Sequence, residues 1–289
     1  MDNPDFLSSE DDTGMSYEQK KVVVLPVPYE GTVSYGKGTS EGPRAILIAS
    51  SQLEAYDDEL DCEPYKAGIW TEKEVPIEES AEKMVKSVYK AATPHITAGK
   101  FLLTLGGEHS IPSGIVRAYK EKYSDLSVLH LDAHGDMRDE YDDTKYSHAA
   151  VMRRIREFCP AVQVGIRSVS KEEMVEIREK KIEKTFFWAR DIVGKEDWFD
   201  AAINQLGKNV YITLDIDVFD PSIVPSTGTP EPGGLQWWQV LHFLRGVFEK
   251  RNVVGADIVE LSPVPGLHAS DFLAAKLAYK MIGYKFRGR

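Results

Sequence analysis

The sequence predicts an α/β protein built on a mostly parallel sheet. Strand-like and helix-like segments alternate almost throughout its 289 residues. Most strand-like segments are unbroken Val/Ile/Leu runs, the pattern of strands covered on both faces. Neither a linker composition nor an internal repeat divides the chain, so one domain is expected, near the upper size limit for a single core.

Residues 1–20 are polar and acidic with little periodicity. They read as a loosely packed extension ahead of a domain at 21–289. The first strand is expected at 21–25, followed by a Gly/Tyr/Thr-rich loop at 29–42. Pro43 suits the first turn of a helix running to about 56. Residues 57–78 read as irregular, with a short strand near 67–70, and 79–98 as a helix. Further strands are expected at 101–105, 127–131, 162–166, 185–188, 210–214 and 253–261. Helices are expected at 111–123, 147–158, 171–181, 198–206, 236–250 and 272–284, with a Pro/Gly-rich loop at 220–234. Periodicity does not separate an open sheet from a closed barrel. In either, ligands bind at the carboxyl ends of strands.

The formal net charge is −11, which repels phosphate backbones and argues against a nucleic-acid partner. No apolar run approaches the roughly 20 residues that span a bilayer. The acidic amino terminus has no secretion-signal features. The two cysteines, Cys62 and Cys159, read as free thiols in a reducing compartment, so a cytoplasmic protein is expected.

Three motifs fall at expected strand ends: Gly106-Gly107-Glu108-His109, Asp132-Ala133-His134-Gly135-Asp136 and Asp215-Ile216-Asp217. Residues two apart in a strand share a face, so Asp132, His134 and Asp136 are expected to converge, as are Asp215 and Asp217. Any one of these could be a core histidine or a helix cap. Together they supply two imidazoles and four aspartate carboxylates. That set is too oxygen-rich for a structural zinc site and suits Mn²⁺ or another borderline-hard ion. Several carboxylates can bridge two ions, which points to metal-assisted hydrolysis. His130 shares parity with Asp132 but lies deeper in its strand and reads as a buried structural histidine.

These motifs, with Leu214 to Pro221 and Thr227 to Gly234, resemble those of the ureohydrolases, the arginase and agmatinase superfamily, over nearly the whole chain. The resemblance implies an open, three-layer α/β/α sheet and oligomers, trimers or hexamers. It implies two Mn²⁺ per chain held by His109, Asp132, His134, Asp136, Asp215 and Asp217, with Asp136 and Asp215 bridging. It also gives Glu260 the role of holding a guanidinium by paired hydrogen bonds. His148 becomes a proton-shuttling histidine, which an ordinary pKa near 6.5 suits. The implied partner is a small cationic guanidine substrate.

The loop at 138–148 lacks the Ser/Asn-rich pattern that holds arginine in arginases. Its Asp139, Glu140, Asp142 and Asp143 suit a distant amine, so the expected reaction is agmatine to putrescine and urea, a step of polyamine biosynthesis. Other guanidines fit the same features: aminopropylagmatine, arginine, or guanidinobutyrate, whose acid Arg138 could bind. Rival readings are a one-zinc amide deacetylase on the same fold and a metal-stabilised, non-enzymatic scaffold.

Overall fold

The apolar runs become one sheet, because residues apolar on both faces of a strand need a helical layer on each side. A computed structural model describes residues 4–8 and 14–287. The strands are β1 (Val22–Val27), β2 (Ile69–Thr71), β3 (Phe101–Gly106), β4 (Leu126–Leu131), β5 (Ala161–Ile166), β6 (Phe186–Trp188), β7 (Asn209–Asp215) and β8 (Asn252–Val259). All pair in parallel, in the order β2-β1-β3-β8-β7-β4-β5-β6.

The helices are α1 (Gly42–Ser50), α2 (Ala81–Thr97), α3 (Pro112–Lys122), α4 (Val151–Arg156), α5 (Lys171–Glu179), α6 (Ala189–Ile192), α7 (Phe199–Ile203), α8 (Trp237–Lys250) and α9 (Ala269–Phe286). Pleating sorts the core into two layers. Val22, Val24, Leu103, Leu129 and Ile212 pack with Ile46 of α1, Phe243 of α8 and Leu277 of α9. Val23, Leu25, Leu102, Val128 and Tyr211 pack with Met84 of α2, Ile115 of α3 and Ile155 of α4. This is the expected three-layer α/β/α architecture.

The strand order positions the site. β4 lies beyond β7 rather than beside β3, and β7 and β8 return to fill the gap. The carboxyl ends of β3, β8, β7 and β4 therefore lie side by side where the winding reverses, the place where open α/β sheets bind ligands.

Several local expectations need correction. Residues 1–20 do not all lie loose. Phe6 is buried in the core and its N–H donates to Thr71 Oγ1 at 2.8 Å. The Tyr17 hydroxyl lies 2.8 Å from His95 Nδ1. Residues 1–3 and 9–13 of that stretch lie outside the described residues. The first helix stops at Ser50, whose hydroxyl donates to Leu47 O and competes with the helical ladder. The helix expected at 147–158 is a 3-10 turn, His148–Ala150, followed by the shorter α4. The last strand closes at Val259, so Glu260 stands just beyond it. α6 is too short to show a periodicity. No helix among the described residues is long and apolar enough to cross a membrane.

Candidate metal centre and active site

Each motif follows one of the four central strands. β3 delivers His109, β4 delivers Asp132 to Asp136, β7 delivers Asp215 and Asp217, and β8 delivers Glu260. Convergence does not come from shared strand faces, as parity suggested. β4 ends at Leu131 and β7 at Asp215, and Ile216–Val218 is a 3-10 turn. Asp136 and Glu260 reach the site through left-handed backbone, φ +52° and +64°. Such conformations cost non-glycine residues roughly 1 kcal/mol or more and concentrate at functional sites.

His109 is buried at the centre. Its Nδ1 lies 2.9 Å from Asp132 Oδ2, 3.3 Å from Asp215 Oδ2 and 3.4 Å from Asp136 Oδ2. Its other nitrogen, Nε2, lies 2.9 Å from the Thr213 hydroxyl, which donates to Asp257 Oδ1 at 2.8 Å. With its hydrogen spent on Asp257, Thr213 accepts from His109 Nε2–H. That points Nδ1 at three carboxylates, the orientation of an imidazole that binds a cation when the Nδ1 proton is displaced. Nδ1 is a buried atom with no hydrogen-bond partner of its own.

A second group forms around His134, whose Nδ1 lies 2.9 Å from Asp217 Oδ2 and 3.5 Å from Asp132 Oδ1. Among the described residues, two sets have candidate ligand atoms within 4.8 Å of one another: His109, His130, Asp132 and Asp136, and Asp132, His134 and Asp217. Asp132 belongs to both. Asp136, expected to bridge, joins only the His109 set, and Asp215 falls in neither set although its Oδ2 lies 3.3 Å from His109 Nδ1. His130 is fully buried and acts on Asp132 from behind. Its Nε2 lies 2.8 Å from Asp132 Oδ2, and Gln163 Nε2 donates to its Nδ1 at 3.0 Å. That pattern fixes an Nε2–H donor and fits the structural role read from the sequence.

Electrostatics show how strongly this cluster favours positive charge. Burial, then the neighbouring Asp132, pushes Asp136 well above the usual carboxylate range. Burial, then Asp217 and Asp132, does the same to Asp215. Asp132 is held well below its ordinary value: burial opposes this, but the imidazoles of His130, His109 and His134 outweigh it. Burial also works against a charged His109, yet contacts with Asp132 and Asp215 raise its pKa well above the ordinary value. Crowded carboxylates around an imidazole nitrogen suit divalent cations. This His/Asp cluster suits a binuclear site.

Glu260 and His148 flank the cluster. Glu260 Oε1 accepts the His109 N–H at 2.6 Å, while burial, then Glu108, pushes Glu260 up to about 8. Burial, then the charges of His134 and His109, lowers His148 to about 4, well under the value its proposed role assumed. Both line a cavity of about 360 Å³ together with His109, His134, Asp136 and Asp215.

The acidic loop is a further correction. None of Asp139, Glu140, Asp142 and Asp143 lines the cavity, and Asp139 is paired with Arg154 at 2.7 Å. The loop instead contributes Arg138 and Tyr141. A different carboxylate, Glu231, lines the cavity from the Thr227 to Gly234 segment. Its backbone carbonyl accepts from Arg167 Nη2 at 2.8 Å, and the same nitrogen donates to Asp217 O at 2.7 Å. Arg167 thereby ties the Glu231 loop to the turn bearing Asp217. Sequence reasoning missed Thr213, Asp257, Gln163, Arg167 and Glu231. The first two carried a signal: Thr213 shares parity with Asp215, and Asp257 is a charge inside an apolar strand.

Fold and site together define a three-layer α/β/α protein with a His/Asp centre suited to paired divalent cations. The family model described as the arginase family matches residues 20–283. The N(1)-aminopropylagmatine ureohydrolase of Synechocystis sp. is 44% identical, over 96% of this chain and 93% of its own. The agmatinase of Bacillus anthracis is 34% identical over 86% of each chain. The agmatine ureohydrolase structure from Thermoplasma volcanium superposes with a TM-score of 0.85 at 32% identity, covering 94% of this chain and 92% of that one. The chain belongs to the arginase family and is an agmatinase-like ureohydrolase, a C–N hydrolase of linear amidines.

Proposed function

We propose that this chain hydrolyses a guanidinium-bearing polyamine to urea and the shortened polyamine, with N(1)-aminopropylagmatine preferred and agmatine the second reading. The observation that carries the hydrolysis is His109 Nδ1 lying 2.9, 3.4 and 3.3 Å from carboxylate oxygens of Asp132, Asp136 and Asp215 beside the cavity. The order of relatives supports the longer substrate, at 44% identity against 34% for the agmatinase. Glu231 supports it as well. It is a cavity-lining carboxylate with no hydrogen-bond or ion-pair partner among the described residues, and so is available to a secondary or terminal ammonium.

Two Mn²⁺ ions are the proposed cofactor. His109, Asp132, Asp136 and Asp215 would hold one; His134, Asp132, Asp215 and Asp217 would hold the other. When bound, such a pair supplies hydroxide near neutral pH. The protein does the rest. The free Glu260 oxygen accepts guanidinium N–H groups and fixes the plane of the group under attack. Water adds to the guanidinium carbon, the C–N bond to the alkyl chain breaks, and the amine departs with a proton. His148 takes the proton released by water and passes it to the leaving nitrogen.

The test is a urea-release panel with N(1)-aminopropylagmatine, agmatine, guanidinobutyrate and arginine, with manganese supplied. The highest kcat/KM is expected for aminopropylagmatine, then agmatine. A preference for arginine or guanidinobutyrate overturns the substrate reading. Full activity in Asp132→Ala overturns the site.

A further inference from the structure

The segment after β1 is clamped to the end of β3. Glu108 N–H donates to Tyr29 O at 2.8 Å, and a Cβ on Gly107 would lie 2.1 Å from that same oxygen, so only glycine permits the approach. The clamp lays Gly31 and Thr32 over the buried Glu108 carboxylate. Glu108 Oε2 accepts the N–H groups of Gly31 at 2.7 Å and Thr32 at 2.6 Å. Its Oε1 accepts the hydroxyls of Thr32 at 2.7 Å and Ser110 at 2.6 Å.

A hydroxyl has one hydrogen, and that of Thr32 is committed to Glu108. Towards its other neighbours Thr32 Oγ1 offers only lone pairs. Those neighbours are the His148 backbone N–H at 3.1 Å and His148 Nδ1 at 3.2 Å. A lone pair on Nδ1 would face a lone pair on Thr32; an Nδ1–H completes a hydrogen bond. Ser147 Oγ, 3.3 Å from Nδ1, accepts from Ala149 N–H and can either donate to or accept from Nδ1, so the Thr32 contact is the one that selects Nδ1–H. The Tyr141 ring stands edge-on to the imidazole, with 5.8 Å between ring centroids.

We infer that Glu108 acts through Thr32 as a positioning pair that holds His148 in its Nδ1–H tautomer, leaving Nε2 as the nitrogen that takes up and delivers the proton. The inference rests on the reading of His148 as proton carrier. It is the logic by which a buried carboxylate fixes a catalytic imidazole, here with a hydroxyl interposed. No step of the reaction passes through Glu108 or Thr32.

The experiment compares Thr32→Val, which keeps the shape and removes the hydroxyl, with Thr32→Ser, which keeps the hydroxyl. His148→Asn is the control, and urea release from aminopropylagmatine is the assay. Thr32→Val is expected to lose roughly 10- to 100-fold in kcat with KM changed little, and Thr32→Ser to stay within a few-fold of the parent. Nitrogen-15 NMR of histidine-labelled full chain, loaded with diamagnetic magnesium, is expected to show His148 protonated at Nδ1. A parent-like kcat in Thr32→Val, or a His148 protonated only at Nε2 in the unmodified protein, overturns the positioning pair. If His148→Asn is inactive while Thr32→Val is parent-like, only the pair fails. If His148→Asn keeps full activity, the proton-carrier reading fails and the pair with it. The NMR arm does not depend on any variant folding.

Discussion

Removing divalent cations should make stability fall as pH rises, and cation-loaded protein should not show this. Burial, then Glu108, lifts Glu260 from an ordinary 4.5 to about 8. A group raised in the folded state contributes its full stability below the unfolded pKa and loses it as pH climbs through the folded one. The window is therefore about pH 4.5 to 8. The elevation corresponds to on the order of 5 kcal/mol at most. Water entry and relaxation in a cation-free pocket reduce it to about 2–3 kcal/mol. Asp136 and Asp215 are raised by burial and by neighbouring carboxylates and act in the same direction, while His148, lowered to about 4, opposes them between about pH 4 and 6.5. Asp132, held low, stays ionised across the window and adds no slope. At roughly 2 °C per kcal/mol for a chain of this size, and with about three fifths of the linkage falling in this range, chelated protein should lose about 3 °C of Tm between pH 5.5 and 8. With manganese the slope should flatten or reverse, because cation binding strengthens as its ligands lose protons. Calorimetric melts with and without chelator read this directly. Parallel slopes in the two states would refute the reasoning.

Thr213→Val, which uncouples His109 from Asp257, should weaken manganese binding roughly 10- to 100-fold in a calorimetric titration; unchanged affinity would remove Thr213 from the site's support. Asp132→Asn should lower cation occupancy at both positions, while Asp136→Asn should affect the His109 position alone; equal losses would return Asp136 to a bridging role. Glu231→Gln should raise KM for aminopropylagmatine roughly three- to tenfold and KM for agmatine less, in steady-state urea release, and an equal change for both would detach Glu231 from tail recognition. Gly107→Ala should destabilise the fold by several kcal/mol, seen as a lowered Tm, because its methyl meets Tyr29 O at 2.1 Å with backbone on both sides.

The sheet was readable because its signal is local. Val22 to Leu25, Phe101 to Leu105 and Val210 to Leu214 are continuous apolar runs, and a run buried on both faces has few other places to go. The motif residues were readable because charges placed just after such runs, as Asp132 and Asp215 are, must lie at the rim where strands emerge. What the sequence concealed was set by turns. Asp136 reaches the cluster by its left-handed backbone and Asp217 by a 3-10 turn, so strand parity is not what brings these residues together. Which carboxylate neighbours both imidazoles depends on ångström-scale placement, which strand parity does not give: Asp132 lies near both His109 and His134. The acidic loop misled because charge density says nothing of direction: Asp139 turns to Arg154, while the carboxylate that does line the cavity, Glu231, comes from a loop chosen for its glycines and prolines.

The central claim is that two cation positions share Asp132. Elemental analysis of the manganese-reconstituted full chain, read beside the same preparation's urea-release rate, tests it. Two ions per chain, with activity rising as the second position fills, is the predicted result. Full activity at one ion per chain would contradict it and favour a single-metal hydrolase on this fold.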